Sequence, residues 1–281
     1  MKFLMSCLLW FSLMVALPAQ TMAQNIQTMA QNILGLPDEL TQGGFYVGKV
    51  APDSEVWFEG RKLRLSPEGH FVVGMNWQQG VMATFKLIDA AGQTRHQRFG
   101  VKKQKYDVSH IDGLPPKMVT PPKQVLARIA QDSARVKKAR KTDSDRQEFR
   151  GAFIWPVRGR ISGHFGNHRI LNGTPKSPHG GMDIAAPKGT KIIAPLGGRV
   201  TMVSDLYYTG NSVIIDHGLG VNTVFAHMDS VTVNMGQVIK QGDQIGTVGA
   251  TGRATGPHLH WGLNWYNERL NPALVLDHGN E

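Results

Sequence analysis

The 281-residue chain has a single cysteine, Cys7, and it lies inside an apolar stretch at the N-terminus. If that stretch is removed on export, the mature chain can form no disulfide and has no thiolate, either as nucleophile or as metal ligand. Any metal must then be held by His, Asp or Glu. A run of apolar residues long enough to cross a bilayer is also lacking. The run from Phe3 to Leu17, broken by Pro18, falls short of the about 20 residues that a spanning helix needs. Acids are scarce as well: 21 Asp and Glu stand against 31 Lys and Arg, for a formal net charge of +10. Such a balance favours polyanionic partners, whether nucleic acid, anionic membrane or an acidic wall polymer. No His-Glu-x-x-His motif is present, and no pair of carboxylates suggests sugar hydrolysis.

What is present narrows the field. Lys2, the apolar run, Pro18 and then small residues ending in Ala23 read as a secretory signal peptide spanning residues 1–23. "QTMAQNI" occurs at 20–26 and again at 27–33, so the cleavage point is duplicated, after Ala23 or after Ala30. "LMSC" has too few apolar residues before Cys7 to serve as a lipoprotein cleavage box. Export places the mature chain in the periplasm or cell envelope, with no stable membrane span once the signal is gone. It also removes intracellular nucleic acid as a partner.

Texture changes divide the rest. From 41 to 108, "GFYVGKV", "SEVWFEG", "HFVVGMN", "MATFKLID" and "RHQRFGV" read as strands separated by turns at "PEG" and "AAGQ". Their spacing suggests a small β-sandwich-like module. It contains no cluster of acids or histidines and no phosphate loop, so packing or targeting is its expected role. Residues 109–149 form a linker. "GLPPKMVTPP" is expected to be extended and semi-rigid. The following stretch lacks Gly and Pro and carries Val125 and Ile129 at helical spacing. Arg135, Lys137, Lys138, Arg140 and Lys141 read as a solvated helix face, with adhesion to an anionic wall polymer as the alternative. From 150 to 281 glycine punctuates short alternating runs, which predicts a mostly β, antiparallel domain with tight turns. That domain is expected to fold on its own.

Five residues in this last domain carry chemistry. "PHGGMDIAAPKGT" holds His179 and Asp183; "VFAHMD" holds His227; "GPHLHW" holds His258 and His260. His258 and His260 are two apart, so in a strand both point to one face. His179 and Asp183 are four apart, but Gly180, Gly181 and Pro187 argue against a helix there. A loop entering a strand can still converge them. A catalytic zinc takes three protein ligands and keeps a position open for water. Amide hydrolysis further needs a proton acceptor and donors for the developing oxyanion. Four histidines and one aspartate can fill all these roles.

"HGGMDIAAPKGT", "FAHM" and "TGRATGPHLHW" resemble the three signatures of the lysostaphin/LytM-type zinc endopeptidases, which cut peptides of peptidoglycan. The resemblance covers roughly residues 155 to 275. It implies that His179, Asp183 and His260 bind Zn2+ and that His227 and His258 act beside the metal, without dividing their jobs. It further implies a secreted enzyme acting on peptidoglycan cross-links, with D-alanyl–diaminopimelate the expected target and a glycine bridge the alternative. The rival reading is a catalytically silent LytM-type regulator, or a wall-binding activator of an amidase. One departure stands out: where many relatives carry an aromatic-acidic pair after the last histidine, this chain has Trp261 and Gly262. His217 is expected to be structural; His70, His96, His110, His164, His168 and His278 are expected at the surface. The β module could dock on the wall or cover the groove.

Overall fold

The structure, a computed structural model, describes residues 32–276. The expected signal segment and His278 lie outside the described residues. The five expected strands of the N-terminal module are found at Phe45–Lys49, Glu55–Phe58, His70–Gly74, Met82–Ile88 and Thr94–Lys102. Two short strands join them. Glu39–Thr41 runs parallel to Thr94–Lys102, and Arg61–Lys62 pairs with Glu55–Phe58. The result is a five-stranded sheet and a separate two-stranded one. In Met82–Ile88 alternate side chains Ala83, Phe85 and Leu87 are buried, as a period of two requires. Phe85 packs against both Phe58 and Phe99, with ring centroids 4.9 and 5.5 Å away. Burying each such ring contributes about 1.5–3 kcal/mol.

The proline-rich stretch is not extended throughout. Pro116–Val119 forms one helical turn, because proline at the first helical position has its φ pre-set and lacks only an N–H that would be unpaired anyway. This turn buries Leu114 and Val119 against Leu171. A second helix, Lys123–Arg140, follows Pro122. It is less a linker than a slab laid on the C-terminal sheet. The inward stripe continues from Val125 and Ile129 through Asp132, Val136 and Ala139. Ala139 joins Met202, Leu206, Ile214 and Val224 in one apolar cluster, with Val136 against it. Asp132, an acid inside that stripe, accepts from Tyr207 N at 2.8 Å and faces Arg128 and Arg135 at 3.8 and 3.6 Å.

The C-terminal sheet is antiparallel at every pairing of its strands. Its long strands are Gly198–Leu206, Gly210–Gly218, Val221–Val231 and His258–Trp265. Beyond the last of these come Met182–Ala185 and then Arg160–Gly163. Val221 to Met228 is buried without a break, as expected of a strand flanked and covered on both faces. The N-terminal module packs directly on this sheet. Phe58 meets Trp265 at 6.4 Å, the Arg61 guanidinium lies over Tyr266 at 4.3 Å, and Asn271 N donates to Gly43 O. From Leu34 onward the chain is one compact unit. No helix among the described residues is long and apolar enough to cross a membrane.

Candidate metal centre

Sheet register assembles the site. Met182–Ala185 and His258–Trp265 are antiparallel neighbours in which Asp183 stands opposite His260 and Ala185 opposite His258. Leu259 and Trp261 point to the other face and are fully buried, which turns His258 and His260 to the side of Asp183. His179 arrives from the preceding loop. Its backbone is clamped by the 166–167 turn: His179 N donates to Asn167 O, and His179 O accepts from Gly166 N. Gly181 permits the close approach. A Cβ there would lie 2.5 Å from Trp261 O and 2.9 Å from the His260 ring.

Three ligand atoms converge as a result. Asp183 Oδ1 lies 2.8 Å from His260 Nδ1 and 3.0 Å from His179 Nε2, and the two nitrogens are 3.0 Å apart. These three residues are the group that can hold a metal ion among the described residues. The tautomer of His179 is set by a carbonyl: Nδ1–H donates to His164 O at 3.0 Å, leaving the Nε2 lone pair to face the trio. Burial works against charge on Asp183, but the adjoining His179 and His260 outweigh it and hold the carboxyl well below the ordinary carboxylate range. Burial, opposed by Asp183, lowers His260 to about 4. Asp183 therefore offers a carboxylate, and His260 an uncharged imidazole, to the space between the three residues. This donor set, free of thiolate, suits a divalent ion with an open position.

His227 and His258 complete the group without joining the trio. Their ring centroids are 4.7 Å apart, and His258 Nε2 stands 3.9 Å from Asp183 Oδ1. Each spends its Nδ1–H on a carbonyl: His227 donates to Thr251 O at 2.8 Å and His258 to Gly256 O at 2.9 Å. Both Nε2 atoms are left as acceptors. Burial, and then His258 and His260, push His227 down to about 3, so it too is neutral at rest. His227 was expected in a regular strand and instead sits at a bulge, with φ at 60°. Here Val221–Val231 changes partner, from His258–Trp265 up to Ala226 to Gln244–Val248 from Met228. A left-handed conformation at a non-glycine residue costs about 1–3 kcal/mol, held by the strands on either side.

The remaining histidines sort themselves. His217 is fully buried, donating Nδ1–H to Gly197 O and accepting at Nε2 from Thr223 Oγ1, a structural place away from the trio. His96, His110, His164 and His168 are exposed, but His70 is half-buried in its strand beside Ser66. The carbonyls of His164, Thr251 and Gly256, which orient the site, gave no signal in the sequence because a backbone oxygen carries no residue identity. Trp261, the aromatic half of the departing pair, is wholly buried with Nε1 unpartnered, and Gly262 lies against Val224.

The five residues open into a cavity of about 670 Å³. The stretch expected to be a linker forms one wall, through Ile111, Leu114, Ile129, Val136 and Arg140. Arg140, expected on a solvated face, thus points inward.

Residues 177–272 match the model of peptidase family M23. The chain is 37% identical over 134 residues to the cell division protein DipM of Caulobacter vibrioides, covering 45% of this chain and 21% of that protein. It is 41% identical over 105 residues to the peptidoglycan DD-endopeptidase ShyA of Vibrio cholerae, covering 37% of this chain and 24% of that one. The chain thus spans about a fifth to a quarter of the length of these relatives. A crystal structure from Pseudomonas aeruginosa, described as of the M23 peptidase type, superposes with a TM-score of 0.66 at 28% identity, covering 84% of this chain and 94% of that one.

Proposed function

We propose that this chain, which carries a LytM-type peptidase M23 domain, is an exported zinc endopeptidase that hydrolyses peptide cross-links of peptidoglycan, D-alanyl–diaminopimelate among them. The observation that carries the reading is the convergence of His179 Nε2, Asp183 Oδ1 and His260 Nδ1 within 3.0 Å of one another, with the imidazoles of His227 and His258 beside them. His179, Asp183 and His260 would hold the metal. When bound, zinc supplies a Lewis acid that polarises the scissile carbonyl and acidifies water.

The chain's own groups do the rest. With Nδ1–H pinned to Thr251 O and Gly256 O, the Nε2 atoms of His227 and His258 are fixed in direction and free to take a proton. One of them accepts the proton of the attacking water and, so protonated, becomes an N–H donor towards the charge developing on the carbonyl oxygen. The proton is then passed to the leaving amine. Fixed rings need no reorganisation at the moment of reaction, which is where such groups gain their effect.

The test is a digest of purified sacculi, with muropeptides separated by mass. Cross-linked dimers should fall and monomers rise while glycan lengths stay constant; a chelator should stop this and zinc should restore it. Release of free stem peptides would make the enzyme an amidase. No change at full zinc occupancy would favour a regulatory role. Export is tested by N-terminal sequencing of the protein recovered from the cell envelope, with Gln24 or Gln31 expected first.

A further inference from the structure

The cavity that holds the five site residues is also lined by Arg140, Arg169, Arg253 and Arg269. They come from four separate places: the end of the helix Lys123–Arg140, the strand His168–Leu171, the loop before His258, and the strand Glu268–Leu270. Only the fold brings them together. Among the described residues Arg64, Arg95, Arg128, Arg135 and Arg146 each find a carboxylate, whereas none of these four has one within ion-pair distance. Arg169 Nε reaches only Ser177 O, at 3.1 Å, and Arg253 Nη1 only Met118 O, at 3.2 Å, with its guanidinium over the Tyr208 ring. Arg140 Nε is buried with no partner at all. Arg269 Nη1 lies over Gly180, where a Cβ would come within 2.5 Å; this places it beside His179.

Arg140, Arg169 and Arg253 are half-buried and Arg269 is exposed; unpaired guanidiniums gathered in this way lose part of their water and repel one another. Burial and then the charge of Arg269 lower Arg140 to about 9. Burial, and next Arg253, lower Arg169 to about 10. The two acids of the cavity relieve this only in part: Asp183 favours charge on Arg169 but pairs with none of the four. Asp183 is engaged with His179 and His260, and Asp132 with Tyr207 N, Arg128 and Arg135. With Lys137 the lining carries five cations against those two acids. An anion is the missing component. The guanidinium fork matches a carboxylate with two parallel N–H···O bonds.

We infer that Arg140, Arg169, Arg253 and Arg269 form a carboxylate subsite that selects peptides bearing free carboxylates and seats them beside His179, Asp183 and His260. The inference rests on the peptidase reading and deepens it. It assigns the substrate to acidic stem peptides rather than to neutral glycine bridges.

The experiment uses the full-length protein and two cross-linked muropeptide dimers that differ only in their diaminopimelyl carboxylates, free in one and amidated in the other. Binding is measured by calorimetry on metal-free protein, and turnover on zinc-loaded protein. The free form should bind about 10- to 100-fold tighter, as the loss of one charge-assisted hydrogen bond implies when the amide keeps a carbonyl acceptor for the other. In Arg140→Gln and Arg169→Gln that ratio should fall towards one. Thermal unfolding checks each variant. Where a Gln variant does not fold, the Lys counterpart, which keeps charge but loses the fork, should still cut the ratio several-fold. Equal binding of the two dimers by the wild type, or an undiminished ratio in the variants, overturns the subsite. Selective binding with no cleavage at full zinc occupancy would remove the hydrolase reading and leave the subsite standing. Cleavage of both dimers at equal rates would do the reverse.

Discussion

Asp183 and His260 face each other as register partners on two antiparallel strands, with Oδ1 2.8 Å from Nδ1. Two of the three converging atoms are thus set by backbone pairing, and only His179 depends on a loop. His227 and His258 use their second nitrogens on carbonyls and stay outside the trio. Asp183→Ala and His260→Ala are therefore expected to lose bound metal. His227→Ala and His258→Ala should keep it and lose about 10²–10⁴-fold in turnover, the usual worth of a general acid or base. Metal content by atomic emission, with turnover on muropeptide dimers, checks all four. Metal retained by His260→Ala but lost from His227→Ala would reverse the assignment.

Gly181 is the second point of control. A Cβ there meets Trp261 O at 2.5 Å and His260 at 2.9 Å, and backbone cannot step aside as a flexible side chain can. Gly181→Ala should displace the His260 ring and weaken metal affinity about 10–100-fold, the range seen when groups that orient ligands are disturbed. A competition titration against a chromophoric chelator reads this directly. Unchanged affinity would show that the loop absorbs the methyl group.

The five site residues and the β character of both halves were legible in residue types and short spacings, whereas the division into three ligands and two outer histidines came only with the resemblance to the lysostaphin/LytM-type endopeptidases. His258 and His260 share a face for the reason given by period two, and His179 and Asp183 meet through glycines that the sequence displays. What escaped was set by long-range packing. Pro116–Val119 looked extended because it lies in a stretch holding four prolines, yet proline favours the first turn of a helix as readily as an extended chain. The helix Lys123–Arg140 looked like a basic linker, since nothing local reveals that Ala139 meets Val224 or that Arg140 turns into the cavity. His227 looked like an ordinary strand residue; its left-handed backbone follows from a change of strand partner that no window around it encodes. Arg169, Arg253 and Arg269 lie up to 100 residues apart, a separation at which no motif can tie them together.

That packing alters what the C-terminal part can do alone. Without the helix, Met202, Leu206, Ile214 and Val224 lose the cover of Val136 and Ala139. Without the preceding turn, Leu171 loses Leu114 and Val119. A fragment of residues 109–281 should melt well above one of residues 150–281. The gap should exceed about 5 °C, since each kcal/mol shifts the midpoint of a domain this size by about 2–4 °C. Differential scanning calorimetry of both fragments decides it. Equal midpoints would mean that the helix merely rests on the sheet.

His217 offers a test of pH dependence clear of the metal. It is fully buried between Gly197 O, which takes its Nδ1–H, and Thr223 Oγ1, which donates to Nε2. Burial lowers it from 6.5 to about 4, with the Gly197 carbonyl only partly opposing. Between those two values the unfolded chain binds a proton that the folded chain refuses, so stability rises with pH across this window. Above 6.5 the contribution is complete. As pH falls it is lost progressively, and by pH 4 the loss is about 3 kcal/mol, at about 1.4 kcal/mol per unit. In urea unfolding at fixed metal saturation, His217→Gln should be less stable than wild type at pH 7 and should close part of that gap by pH 4. The ring C–H resonances of His217 should stay at their neutral positions down to about pH 4. Titration of those resonances near 6.5, or parallel stability curves for the two proteins, would show that the pocket around His217 admits the charge after all.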